Sequence, residues 1–206
     1  MVYTDREKAL LKEISDRMIA DPIETDKAIL RPFRESDRAD YIAYASQSEV
    51  QRLCGMYFES EREINENFDR ILSQPVPITF AVEYKPNGRV AGNFSIGYYP
   101  FLIGDEQFEG KRGVSLSFLL GGEYQRRGIM SGVLEAAIDL YLGRMGLDFV
   151  NAGYFEFNDG SRRLQEKCGM KHWMRHTFEF QGQEINTCEM ILWREDYLCV
   201  RSKQQG

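Results

Sequence analysis

The chain has 206 residues, 43% of them hydrophobic and 28% charged, a balance that excludes disorder and fits one globular domain with an extension better than two domains. Lys and Arg number 26 against 32 Asp and Glu, a net charge of -6, so no nucleic-acid or membrane partner is expected and a cationic one is easier to accommodate. The four cysteines show no Cys-x-x-Cys spacing and have only two histidines to share a metal with, so no metal site is expected and the thiols read as free in a cytoplasmic protein. The opening MVYTDREKAL lacks the apolar core of a signal peptide, and no apolar run nears the ~18 residues that span a membrane.

Residues 1–23 read as a helical extension, with a helix from Thr4 to Ile19 whose stripe is Leu10, Leu11, Ile14, Met18 and Ile19; residues 24–206 form the main domain. That stripe covers either its own sheet or a second subunit, which leaves monomer and homodimer open. AILRPF, from Ala28, is a short strand closed by Pro32, and Ser36 is the expected N-cap of a helix carrying Ala39, Tyr41, Ile42 and Ala45. Ser60 and Glu63 have capping-box spacing for a helix to about Ser73. Two β-rich runs, Ile78 to Tyr84 and Arg89 to Tyr98, flank Lys85-Pro86-Asn87-Gly88, a hairpin turn. An irregular insert over 99–111 precedes a strand from Gly113 to Leu120. A long helix from Ile129 to Met145, a strand from Asp148 to Phe155 and a short helix from Ser161 to Lys167 follow, the last closed by Gly169. Strands Lys171 to Phe180 and Glu184 to Trp193 end the pattern, which predicts a mixed central sheet flanked by helices.

Leu119 to Ser131 joins a strand to a helix, and its middle, Gln125-Arg126-Arg127-Gly128, is cationic in an acidic chain. A helix start leaves backbone N–H groups unpaired and carries the positive end of the macrodipole, so this stretch outlines an anion site. Two solvated arginines on a surface turn are the alternative. The P-loop reading fails for want of Gly-Lys-Ser or Gly-Lys-Thr.

Taken in order, Leu30-Arg31-Pro32-Phe33 with Ser36-Asp37, Tyr124-Gln125-x-x-Gly128, Asn158-x-x-Ser161, and Glu166-Lys167-Cys168-Gly169-Met170 resemble the GNAT superfamily of N-acetyltransferases, closest to the branch that acetylates ribosomal-protein N-termini. The resemblance implies an α/β (α+β) fold with a mostly antiparallel sheet splayed between two strands, and acetyl-CoA as co-substrate in the splay. Backbone around Phe118, Leu119 and Leu120 would hold the pantetheine arm. Gln125, Arg126, Arg127, Gly128, Ile129, Met130 and Ser131 would hold the pyrophosphate, and Asn158 and Ser161 would touch the coenzyme from the far side. Asn158 also reads as an ordinary N-cap. Family members usually carry a small residue where Arg126 and Met130 stand, an acid where Gly132 stands, a glutamate where Ser115 stands and often a tyrosine where Gln165 stands.

Acetyl transfer needs a neutral amine, an oxyanion donor and a proton for the leaving thiolate. Backbone N–H near Leu119 or Leu120 would stabilise the oxyanion, Ser161 would protonate sulfur, and Glu156 or ordered water would serve as base. A site without a strong base suits an α-amine, about 10 to 17% neutral at pH 7, over a lysine at below about 0.1%. The expected activity is therefore N-acetylation of a protein N-terminus or a small primary amine; a non-catalytic acyl-CoA-binding module or a plain protein-interaction domain is the alternative. Asp105, Glu106 and Glu109, or Tyr98, Tyr99 and Phe101, are candidates to attract the acceptor, with solvated charges and strand-end packing as the alternatives. His172 and His176, four residues apart on a strand, are expected on one face, for packing rather than catalysis.

Overall fold

The structure is a computed structural model that describes residues 3–97, 105–180 and 183–204. Helix α1 (Asp5–Ala20) begins at Thr4, whose hydroxyl accepts from the Glu7 N–H at 3.3 Å while the Glu7 carboxylate accepts from the Thr4 N–H at 2.6 Å. Its buried residues Leu11, Ile14 and Met18 join the main core, whereas Ile19 is 45% exposed. Thr4→Ala is expected to cost about 1 kcal/mol, a midpoint drop of about 2–4 °C in a thermal melt.

Strand β1 (Ala28–Pro32) leads into a short 3-10 turn, Glu35–Asp37, and then α2 (Arg38–Ala45). Ser36 lies inside that turn and makes no cap. Asp37 does the work instead: it accepts from the Arg34 N–H at 2.8 Å and from both terminal nitrogens of Arg31 at 2.7 and 2.9 Å, while Arg31 Nε reaches Glu83 at 2.6 Å. Helix α3 (Ser48–Cys54) follows, too short for a periodic signal, and ends on Gly55 at φ 67°. Helix α4 (Glu61–Leu72) starts at Ser60, but the box is only half built: Glu63 N–H donates to Ser60 while the Glu63 carboxylate accepts from Glu59 N–H.

Strands β2 (Thr79–Tyr84), β3 (Arg89–Gly97) and β4 (Gly113–Leu120) pair antiparallel with β1 in sequence order. Helix α5 (Ile129–Ile138) runs on into a π-helical turn, Asp139–Arg144, before β5 (Phe149–Phe155). Helix α6 (Asp159–Lys167), β6 (Lys171–Phe180), β7 (Gln183–Trp193) and a C-terminal α7 (Arg194–Gln204) complete the chain. The sheet order is β1-β2-β3-β4-β5-β7-β6, antiparallel except where β4 and β5 run parallel. Gln181 and Gly182, between the last two strands, lie outside the described residues, as do Tyr98, Tyr99 and Phe101.

Alternation along the strands separates two faces. One carries Leu30, Phe80, Phe94, Val114, Leu116, Val150 and Ala152, all buried with α1 and α5 in one cluster, each large side chain contributing about 1.5–3 kcal/mol. The other carries a polar band, Asn93, Ser95, Ser117, Ser115, Asn151 and Glu189, with α2 and α4 over its β1–β3 end and Phe108 packed on Phe149, Trp173 and Trp193 at the other. A bulge between His172 and Met174 makes His172 partner Met190 and His176 partner Thr187, so the two histidines fall on opposite faces and not on one.

Candidate functional site

Strands β4 and β5 pair only at Gly113–Phe149, Val114–Val150, Ser115–Asn151 and Leu116–Ala152, after which they part. From Ser117 onward the β5-facing backbone of β4 has no strand partner, and such groups need one from elsewhere. The opening leads to a cavity of about 400 Å³, large enough for part of a cofactor-sized ligand. Phe118, Leu119 and Leu120 form one wall, Gln125, Arg126, Gly128, Ile129, Met130 and Ser131 the end, and Asn158 and Ser161 the opposite side.

The end of the cavity is the start of α5. Arg126 stands at φ 57° and Gly128 at φ 73°, left-handed positions that cost a non-glycine residue about 1–3 kcal/mol and turn the chain sharply into the helix. The first helical N–H to close onto the helix is that of Gly132, to Gly128 O at 3.2 Å, so Ile129, Met130 and Ser131 begin α5 with N–H groups that have no partner within the helix. Two left-handed residues before a helix start make a concavity of N–H dipoles suited to an anion. Gln125 is engaged from behind, its Nε2 donating to Leu120 O at 3.0 Å.

Of the two arginines, only Arg126 lines the cavity. Arg127 lies over the Tyr124 ring at 5.9 Å, and its carbonyl accepts from Lys27 Nζ at 2.6 Å. Two cations that sequence reasoning missed, Arg163 and Lys167, reach the cavity from α6, and Lys167 Nζ donates to Ser131 Oγ at 2.8 Å. Their i, i+4 spacing on α6 was the available signal. Helix α3, also unforeseen, adds Val50, Leu53 and Cys54 as a further wall. It is locked in place where Gly55 meets the Phe155 ring, which stands 2.6 Å from any Cβ at that position.

Asn158 is both N-cap and wall. Its Oδ1 accepts from Ser161 N–H at 3.1 Å, and its Nδ2 donates to Leu53 O at 3.1 Å, tying α6 to α3. Ser161 Oγ accepts from Gln165 Nε2 at 3.0 Å. Gln165 itself is buried and does not reach the cavity. Glu156 does not line the cavity either: its Oε2 accepts from Arg175 at 2.6 Å and from Asn186 at 3.0 Å.

A second recess of about 350 Å³ opens on the polar face of the sheet, between β2–β4 and helices α2 and α4. It meets the first at Cys54, Phe118 and Leu119, which line both. Burial pushes the Cys54 thiol upward, so the group at that junction stays neutral. Asp105, Glu106 and Glu109 line neither recess.

The acidic group of interest is Glu189 on β7, 3% exposed. It faces Gly153, where a Cβ would come within 2.6 Å of Glu189 Oε1, so any larger residue there would push the carboxylate aside. Burial pushes its carboxyl up to about 7, offset in part by the Asn151 amide. His176 Nε2 stands 4.0 Å away, but burial lowers that imidazole and disfavours its charged form.

Among known proteins, the family model for the acetyltransferase (GNAT) domain matches residues 27–171. An uncharacterized N-acetyltransferase, YoaA of Bacillus subtilis (strain 168), is 24% identical over 153 residues, 72% of this chain and 82% of that protein. An acetyltransferase of the GNAT family from Bacillus anthracis superposes with a TM-score of 0.72 at 16% identity, covering 84% of this chain and 99% of that one. Spermidine N-acetyltransferase from Vibrio cholerae, solved with CoA and spermine, gives 0.65 at 16% identity over 84% of this chain and 99% of that one.

Proposed function

The chain belongs to the GNAT acetyltransferase family, and from that membership we propose that it moves an acetyl group from acetyl-CoA to a primary amine by direct attack. The observation that carries this reading is the parting of β4 from β5 beside an unplugged, cation-ringed helix start. The pantetheine amides pair with the free edge of β4 as a strand would, and the pyrophosphate sits on the α5 N–H groups, Arg126 and Lys167. The thioester then lies at Phe118 and Leu119, where the two recesses join, and the amine arrives through the second recess.

At that junction the amine nitrogen bonds to the thioester carbon, a β4 backbone N–H takes up the oxyanion charge, the C–S bond breaks, and the nitrogen gives its proton to water. Ser161 receives a hydrogen bond from Gln165, which leaves its own O–H to hydrogen-bond the departing thiolate while that sulfur takes up the proton the nitrogen released to water. Glu156 has no part in this reading. With no carboxylate on either wall to serve as base, an α-amine of pKa about 7.7–8.0 is the suited acceptor, because it supplies its own neutral form.

Arg126→Ala tests the phosphate assignment. Loss of one charge-assisted hydrogen bond is expected to weaken acetyl-CoA binding about 10-fold in a calorimetric titration, and to weaken dephosphorylated, pyrophosphate-free pantetheine analogues little. An unchanged coenzyme affinity would show that the loop holds no phosphate.

A further inference from the structure

The second recess carries a charge pattern that no part of the coenzyme reading requires. Its floor is the polar band of the sheet, with Asn93, Ser95 and Ser117, and its helical wall presents Tyr41, Asn67 and Arg70. Every Asp and Glu of the chain lies among the described residues, yet none lines this recess, in a molecule of net charge -6. The single charged residue on its wall is Arg70.

Arg70 is also held ready. Its Nη2 donates to Asn67 Oδ1 at 2.6 Å, and the Asn67 amide donates in turn to the Tyr41 hydroxyl, so one side-chain relay fixes the guanidinium at the rim. Among the described residues Arg70 makes no ion pair, unlike Arg38 on α2, Arg52 on α3 and Arg62 on α4, each of which pairs with a carboxylate. An exposed, oriented guanidinium without an acid of its own is a receptor for an external carboxylate, and the same charge repels an ammonium chain.

We infer that the acceptor brings a carboxylate of its own to Arg70: a peptide N-terminal α-amine with an acidic side chain within its first residues, polyamines being rejected. This rests on the coenzyme reading, since the amine must meet the thioester at Leu119. The carboxylate docks at the rim while the α-amine, several bonds away, reaches down the floor to the junction at Cys54, Phe118 and Leu119. The C–N bond forms and the C–S bond breaks as before, with acetyl-CoA as the acetyl donor, and the carboxylate takes no part in the proton balance.

The test uses the full chain with acetyl-CoA at pH 7.5 and reads thiol release on Ala-Glu-Ala-amide, Ala-Gln-Ala-amide, Ala-Lys-Ala-amide and spermidine. The Glu peptide is expected to exceed the Gln peptide about 10-fold in kcat/KM, the size of one charge-assisted hydrogen bond, with the Lys peptide and spermidine lower still. Arg70→Gln is expected to shrink the Glu-to-Gln ratio below about 2-fold, and Arg70→Glu to invert it toward the Lys peptide, far-UV circular dichroism confirming that each variant is folded. Preference for spermidine or the Lys peptide, or a Glu preference that survives Arg70→Gln, overturns the inference. So does failure of all four acceptors while acetyl-CoA still binds, an outcome that leaves the coenzyme reading standing. Absence of acetyl-CoA binding removes that reading first, and the inference with it.

Discussion

Asp37→Ala is expected to lower the free energy of unfolding by about 3–5 kcal/mol, the usual cost of removing one partner from a buried ion pair. Arg31 and Asp37 are 11% and 7% exposed at their side chains, so the guanidinium left behind cannot recover its hydration. Glu83 holds Arg31 only through Nε, at 2.6 Å, and both terminal nitrogens lose their carboxylate at once. The Arg34 N–H is orphaned as well, because Asp37 is the acceptor that turns the chain from β1 into α2. At about 2–4 °C per kcal/mol for a chain of this size, the thermal midpoint should fall by about 6 °C or more. Asp37→Asn keeps the acceptor oxygen for Arg34 but not the charge, and should lie between wild type and alanine. A melting curve for Asp37→Ala within about 1 °C of wild type would mean that water, and not the carboxylate, already solvates Arg31. Helix α2 also supplies Tyr41 to the second recess, so, on the proposed reading that the amine enters there, loosening this corner should raise KM for the amine before it touches coenzyme affinity.

The second large effect is a pH dependence from Glu189. Its carboxyl stands near 7 in the folded chain against an ordinary 4.5, because ionisation would place a charge where Oε2 finds no hydrogen-bond partner among the described residues. A raised pKa means that the fold favours the protonated form. The stability tied to that proton is therefore fully present below about pH 4.5 and is lost as pH rises through about 7, reaching about 3 kcal/mol on the alkaline side. Glu189→Gln cannot ionise and keeps the shape beside Gly153. Urea midpoints measured from pH 5 to pH 8 should fall for wild type and stay nearly level for the variant at this site, with the curves crossing toward low pH. Parallel curves would mean that the side chain is already charged at pH 8 at no cost.

Much of the architecture is written locally. The start of α1 at Thr4, the Lys85–Gly88 turn with Gly88 at φ 67°, and the full span of β4 each depend on residues a few positions apart, and each was readable as such, although the Thr4 box itself was not read and the Ser60–Glu63 box is only half formed. The cation-rich turn before α5 belongs with them, since Gly128 and the helix start are neighbours in the chain. Helix α3 was not readable: seven residues hold too few turns for an amphipathic period, and its place over the splay depends on Phe155 meeting Gly55. The histidines misled for a related reason, because one bulged residue in β6 inverts every side chain beyond it and alternation alone cannot reveal the extra residue.

Glu156, Arg127, Glu189 and Arg70 mark the boundary between the two kinds of information. As letters, Glu156 at a strand end and Arg127 in a cationic turn looked more functional than a glutamate in the middle of β7 or an arginine late in α4. Folding pairs Glu156 with Arg175, lays Arg127 over Tyr124, buries Glu189 against Gly153 and leaves Arg70 without an acid at the rim of a recess. Helix periods, strand alternation, turns and caps are settled by neighbours in sequence, so the chain alone determined the order of elements and the cationic turn that opens α5. Which charge is paired, desolvated or free depends on residues tens of positions away, and only the tertiary structure decided that.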